Sequence, residues 1–204
     1  MRLVNKINAL LKRKFSYYSA INNLDRKMER YLNYKDGFFV EIGANDGISQ
    51  SNTFFLEKKY NWCGLLIEPS EKFKELIKVR SSKNFFSNSA CCSFENSGKL
   101  IKFSYNNLMT VALNLESDLN VSEHTKNAKD HNKVNYEFKI EGTPLNNLLI
   151  KYKAPKLIDF FSLDVEGVEY EVLTGIDHST YRFKYILVEC RDFNKINNYL
   201  LKNN

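Results

Sequence analysis

The stretch Phe38-Phe39-Val40-Glu41-Ile42-Gly43-Ala44-Asn45-Asp46-Gly47 decides the fold. An apolar run ends in a short loop that carries acids and is bounded by glycines. The run lacks the alternation of a half-solvated strand and reads as a strand buried on both faces. Glycine lets the chain that follows turn tightly and approach a ligand. The pattern returns downstream. Trp62 to Ile67 is a second buried strand, stopped by Glu68-Pro69, and Asn84 to Cys91 is a third. Leu157 to Leu163 is a fourth, ending at Asp164, and Tyr185 to Val188 a fifth, ending at Glu189. Helices are expected between them, over Ser51 to Tyr60, after the N-cap Ser70, over Pro144 to Tyr152, over Glu166 to Thr174 before Gly175, and over Asn194 to Lys202. Apolar strands alternating with helices indicate an α/β fold, a parallel sheet with helices on both faces. In such sheets ligands gather at the carboxyl ends of the strands. Gly43 to Gly47, Glu68, Asn88-Ser89, Asp164 to Gly167 and Glu189 fall there and make an acidic rim.

Outside this frame lie two different segments. Residues 1–36 form a basic N-terminal arm, with an apolar helical stripe over 3–14 and a second helix expected over 20–33. The domain proper takes residues 37–204. Residues 106–133 are polar, lack a clean period and read as an insertion or lid; Leu100 to Tyr105 before it reads as an edge hairpin partner, and Tyr136 to Ile140 after it as a strand.

The chain has 204 residues and a formal charge of +6. The arm holds nine Lys/Arg against three acids, so the remainder balances at 21 and 21. A neutral body with a basic arm argues against a nucleic-acid binder. No apolar run approaches the ~18 residues of a membrane span. Met1 to Lys6 lacks the apolar core of a secretory signal, so a cytoplasmic location is expected. Residues 1–18 carry five Lys/Arg and no acid, a composition suited to peripheral contact with a membrane surface or to packing on a partner. Cys63, Cys91, Cys92 and Cys190 have neither zinc nor disulfide-framework spacing and read as reduced thiols.

The chemistry concentrates on the rim. Glu68 ends the second strand about 20 residues after the glycine loop, the offset of an acid that holds ribose hydroxyls. The loop is not GxGxxG, and its acids repel phosphate. They suit a cofactor with an ammonium and a sulfonium, as S-adenosylmethionine has.

The chain resembles the FkbM-type class I methyltransferases. The resemblance is carried by Phe39 to Gly47, Leu66-Ile67-Glu68-Pro69, Asn88-Ser89-Ala90, Thr143-Pro144-Leu145 and Ser162-Leu163-Asp164-Val165-Glu166-Gly167-Val168-Glu169, and covers residues 37–190. It implies a Rossmann-like sheet and O-methylation of a sugar, glycan or small natural product from S-adenosylmethionine. It implies that Gly43, Asn45, Asp46 and Gly47 wrap the methionine moiety, that Glu68 holds the ribose, and that Asn88, Ser89 and Ala90 lie near the adenine. Glu41 and Pro69 belong to the same motifs and count with the cofactor positions. Class I sheets commonly end with a sixth and a seventh strand; only about 14 residues follow Cys190, enough for one helix. A sheet without that hairpin, or a truncated form, is therefore expected.

Methyl transfer to a hydroxyl needs alignment and removal of the acceptor's proton. Asp164 is the candidate base or acceptor anchor, and it also belongs to the cofactor rim. Glu166 is either a second catalytic acid or a first-turn helix residue. His124 and His131, seven residues apart in the insertion, are candidate lid bases. Asp164 and Glu189 end neighbouring strands and are a candidate pair of Mg²⁺ ligands. The Asn/Asp-Pro-Pro-aromatic turn of amino-methylases cannot form from Pro69, Pro144 and Pro155. The alternatives are a non-catalytic cofactor-binding scaffold that docks on membrane or a partner protein, and a nicotinamide oxidoreductase, which the acidic loop disfavours.

Overall fold

A computed structural model describes residues 17–131 and 134–203, with all of their side chains except 128–131. In chain order the strands are β1 (Phe38–Ile42), β2 (Cys63–Ile67), β3 (Phe85–Ser87), β4 (Ala90–Cys92), β5 (Leu100–Tyr105), β6 (Val111–Ala112), β7 (Tyr136–Pro144), β8 (Leu157–Leu163) and β9 (Arg182–Val188). The α-helices are α1 (Leu24–Met28), α2 (Phe54–Tyr60), α3 (Phe73–Val79), α4 (Val121–His131), α5 (Leu145–Lys151), α6 (Glu169–Leu173) and α7 (Phe193–Lys202). Short 3-10 turns sit at Ile21–Asn23 and Asn107–Met109.

Strands β3, β2, β1, β8 and β9 lie in that order and all run parallel. Their apolar side chains divide by the period of two. Val40, Ile42, Leu65, Ile67, Phe161 and Leu163 pack with α5 and α6 residues on one face. Phe39, Leu66 and Phe160 pack with Phe55, Leu56, Trp62 and Leu76 on the other. Both faces are buried, which is why the strands read as continuous apolar runs. The register sets Ile42 opposite Ile67 and Leu163, with Leu163 opposite Val188. The residues that follow, Gly43, Glu68, Asp164 and Glu189, therefore emerge along one edge. The sheet has five strands among the described residues, without the C-terminal hairpin.

Several boundaries differ from the sequence expectations. The third strand is two strands: β3 ends at Ser87, and β4 begins at Ala90 in a second sheet ordered β4-β7-β5-β6. Asn88 causes the break, because its Nδ2 donates to the carbonyls of Glu68 (2.8 Å) and Pro69 (3.1 Å). Strand β5 is not an edge partner; it lies between β7 and β6, antiparallel to both. The insertion is structured, contributing a 3-10 turn, β6 and α4. Helix α6 starts only at Glu169, because Glu166 and Gly167 have φ of 55° and 95°. Helix α2 starts at Phe54, because Ser51 to Thr53 bond a buried carboxylate instead. The helix expected over 20–33 shrinks to α1 behind Asn22 and Asn23, both left-handed. The helix expected over 3–14 lies outside the described residues. Among those described, no helix is long and apolar enough to cross a membrane.

Candidate active site

Two glycine-dependent approaches shape the rim. Gly43 has φ of 82°, and a Cβ there would collide with the backbone carbonyl of Asp164. Its neighbour Ile42 accepts from Asp164 N at 3.3 Å, so the ends of β1 and β8 are pressed together. Gly47 has φ of 84°, and a Cβ there would run into the Leu76 and Arg80 side chains. Between them Asp46 turns inward on its own loop. It accepts from Ile48 N (2.9 Å), Ser49 N (2.7 Å) and Ser49 Oγ (2.6 Å). Burial works against its ionisation, but these bonds win and hold it below the usual carboxylate range.

Glu68 is buried at the end of β2. Its Oε2 accepts from Asn45 N at 2.8 Å and its Oε1 from Ser70 N at 2.9 Å. Burial raises its pKa despite these donors. A carboxylate offers about four lone-pair sites, so acceptor capacity remains on both oxygens.

Glu41 does a different task. By the period of two it faces the α2 side of the sheet, as does its register partner Ser162. Its carboxylate accepts from Ser51 Oγ (3.0 Å), Asn52 N (2.9 Å) and Thr53 Oγ1 (2.6 Å). Arg80, fully buried, reaches Glu41 Oε2 at 3.4 Å and Glu57 Oε2 at 2.8 Å. This network fixes the turn 51–53 against the sheet.

The far end of the rim is an acid cluster. Carboxylate oxygens of Asp164, Glu166 and Glu189 lie within 4.8 Å of one another. Asp164 lines the cavity and is exposed there. Desolvation by the surrounding protein, then the charge and hydrogen bond of Glu189, push Asp164 well above the usual carboxylate range. Glu166 is pushed up to about 7 by burial and by Glu189, with Arg191 opposing. Arg191 Nη2 stands 3.4 Å from Glu166 and 3.7 Å from Glu189. Glu169 props the loop: its Oε1 accepts from Val165 N (3.0 Å) and Gly167 N (3.2 Å), while Oε2 is buried without a partner. Helix α4 brings His124 Nε2 to 3.8 Å from Glu166 and 3.3 Å from the Met109 carbonyl.

These parts enclose a cavity of about 220 Å³. Gly43, Asn45, Glu68, Pro69, Asp164 and Glu189 line it, and Glu41 and Glu166 contribute to its walls. Phe103, Asn107, Leu108 and Thr110 close it from the second sheet and insertion, and Ile21 from the arm. The side-chain carbonyl oxygens of Asn45 and Asn52, two of the lining residues, are fully buried without a donor. The acidic lining suits a cationic ligand.

Of the expected site residues, Asp46 and Gly47 shape the loop from behind, away from the cavity lining. Asn88 pins the β2 end, Ser89 Oγ bonds Ser87 Oγ at 2.8 Å, and Ala90 is buried in β4. His124 does reach the acid cluster; the side chain of His131 lies outside the described residues. Reading Glu166 as a first-turn helix residue is corrected by its left-handed backbone. Sequence reading gave no site role to Asn52, Arg80, Ser162 or Glu169, although Ser162 and Glu169 stand in the motif that carries the resemblance. A buried Arg and a Ser-Asn-Thr run after a glycine loop carry no motif signal; the buried Glu41 carboxylate on β1 brings them together.

The family model described as Methyltransferase FkbM domain matches residues 41–203. No curated protein and no solved structure matches the chain.

Proposed function

The chain belongs to the FkbM-domain methyltransferases, and we propose that it uses S-adenosylmethionine to methylate a hydroxyl oxygen, with a sugar or glycan as the acceptor class. The observation that carries the cofactor is the cavity's charge: Glu41, Glu68, Asp164 and Glu189 line it. A pyrophosphate would be repelled here, whereas an ammonium and a sulfonium are favoured. Gly43, Asn45 and Glu68 would hold the cofactor, with Glu68 accepting from the ribose hydroxyls. When bound, S-adenosylmethionine supplies an electrophilic methyl group on sulfur.

The chain's own residues do the rest. Gly43 keeps the β1 and β8 ends close enough for one ligand to touch both. Asp164 takes the proton of the acceptor hydroxyl onto a carboxylate oxygen. An ordinary carboxylate is too weak a base for an alcohol; raising its pKa narrows the mismatch. Glu189 is hydrogen-bonded to Asp164, and Glu166 stands between this pair and His124 on α4. Phe103 and Leu108 keep water from the reacting side. The polar insertion sets acceptor choice.

Titration calorimetry with S-adenosylmethionine, then turnover on a hydroxyl-bearing glycan panel with wild type and Asp164→Ala, tests the reading. Tight binding with methylation that Asp164→Ala abolishes supports it. Binding without turnover on any acceptor would favour the scaffold alternative. A second reading rests on the three clustered oxygens of Asp164, Glu166 and Glu189, a hard donor set suited to Mg²⁺. Undiminished turnover after exhaustive EDTA treatment removes it.

A further inference from the structure

Strand β9 is the outermost strand of the central sheet and, among the described residues, pairs only with β8. Phe183 to Val188 is apolar but for Lys184, yet no residue of the strand is buried, whereas five of the seven in β8 are. Both faces of β9 are covered. Ile186 and Val188 pack against the core cluster that holds Ile196 of α7. Helix α7 returns along the strand, so that Arg182 Nη1 donates to the Asn203 carbonyl at 2.9 Å. On the other face the rings of Tyr185 and Tyr31 lie 5.8 Å apart. The exposure therefore comes from the open edge.

The ladder sets the backbone on that edge. Glu189 N donates to the Leu163 carbonyl at 3.0 Å, so it faces β8. Backbone groups alternate sides along a strand, and the register from Tyr185 to Val188 is unbroken. Ile186 and Val188 therefore turn N–H and C=O outward. An open edge of this kind is a template for another strand.

The charge of the segment says which strand. Its start carries Arg182 and Lys184, and the chain at its other end carries Glu189 and Asp192. An antiparallel copy sets the basic end against the acidic end; a parallel copy would set like against like. A two-fold axis at Leu187 satisfies the outward groups as well. Ile186 then faces Val188 of the second copy, and each such pair exchanges two bonds. The same register puts Arg182 opposite Asp192 and Tyr185 opposite Glu189. We propose that the β9 edge joins two copies of this chain into a two-fold dimer with one continuous sheet. Helix α7, which leaves Phe193 and Leu201 exposed, runs beside its copy in that dimer.

Light scattering after size exclusion reads the mass directly. Wild type is expected at twice the chain's 23.9 kDa, falling toward the monomer on dilution. Ile186→Pro removes an N–H that the chain itself does not use, a change that an edge position tolerates. It should weaken the dimer by roughly 10- to 100-fold, since each copy loses a bond. Tyr185→Glu sets acids opposite each other and should weaken it too, whereas Tyr185→Lys, which loses the same Tyr31 contact, should not. Leu187→Cys should give a disulfide-linked dimer on mild oxidation, because opposed residues at the axis come within disulfide reach. Wild type, whose Cys190 faces Lys184 in this register, should not. Melting followed by Trp62 fluorescence checks that each variant folds. If Ile186→Pro does not fold, the Tyr185 pair and Leu187→Cys decide. A monomer at every concentration means that the edge is covered within the chain or by another protein, and overturns the proposal. So does a dimer that Ile186→Pro and Tyr185→Glu leave intact, or a Leu187→Cys protein that cross-links no more than wild type.

Discussion

Arg80→Met tests the frame behind the site. The Arg80 side chain is fully buried. Its Nε donates to Glu57 at 2.8 Å, its Nη2 to Thr53 Oγ1 at 2.9 Å, and its Nη1 to the Gly47 carbonyl at 3.2 Å. Methionine keeps much of the apolar volume, so the main loss is the charge opposite Glu57 and Glu41. Removing one member of a buried ion pair costs about 3–5 kcal/mol, because the other is left uncompensated. Against a total stability of about 5–15 kcal/mol for a domain, that is a large share. With a urea dependence of about 2 kcal/mol/M, the midpoint should fall by about 2 M. The protein's single tryptophan, Trp62, is buried and reports the unfolding directly.

The loss should also depend on pH. In the wild type burial opposes ionisation of Glu57, but the Arg80 charge and its hydrogen bonds prevail and lower the pKa. Glu57 therefore adds stability that is present above its unfolded pKa and is lost as pH falls through the folded one. Without Arg80, burial is opposed only by Lys58, Asn84 and the Ser81 N–H, so the folded pKa moves up and the penalty grows as pH rises through it. The difference between the proteins should be large at pH 7.5 and clearly smaller at pH 5. Glu57→Gln added to Arg80→Met should restore part of the loss at neutral pH. A loss below about 1 kcal/mol at pH 7.5, or the same loss at both pH values, would refute the role given to this pair.

Three further outcomes are expected. Gly43→Ala puts a methyl group into the Asp164 carbonyl at a left-handed position, so it should abolish S-adenosylhomocysteine binding in calorimetry; retained affinity would mean the two strand ends separate freely. Asp164→Asn should cut turnover by about 100-fold or more while S-adenosylhomocysteine still binds. Because the Asp164 pKa is raised, wild-type kcat/KM should climb with pH across the neutral range as the base deprotonates, and a flat profile from pH 5.5 to 9 would contradict that role. Glu169→Gln retains an acceptor for Val165 N and Gly167 N and should keep near-wild-type melting and turnover, whereas Glu169→Ala should lose both; two equally impaired variants would mean that the charge matters rather than the bonds.

Much of the frame is legible in the residues because burial on both faces leaves a local mark. Phe39 to Ile42, Leu65 to Ile67 and Leu157 to Leu163 are mostly apolar, interrupted only by Glu41, Asp159 and Ser162, and all form strands of the central sheet. Glu68 and Asp164 are visible for the same reason: each is the first acid after such a run. Elements without an apolar signature were harder to read. Helix α4 is polar, and Glu166 follows a strand as a first-turn acid would, although its backbone is left-handed.

The sequence by itself determined the order of buried strands and which polar residues end them, since strand burial and chain reversal are encoded within a few neighbouring residues. Tertiary structure decided which of those residues meet. Asn52 joins Ser162 across 110 positions, Arg80 joins Glu41 across 39, and His124 reaches Glu166 from a polar helix. Such encounters depend on sheet register and on how helices lie across it. Both follow from the packing of the whole core, and a local stretch of chain carries no record of that packing.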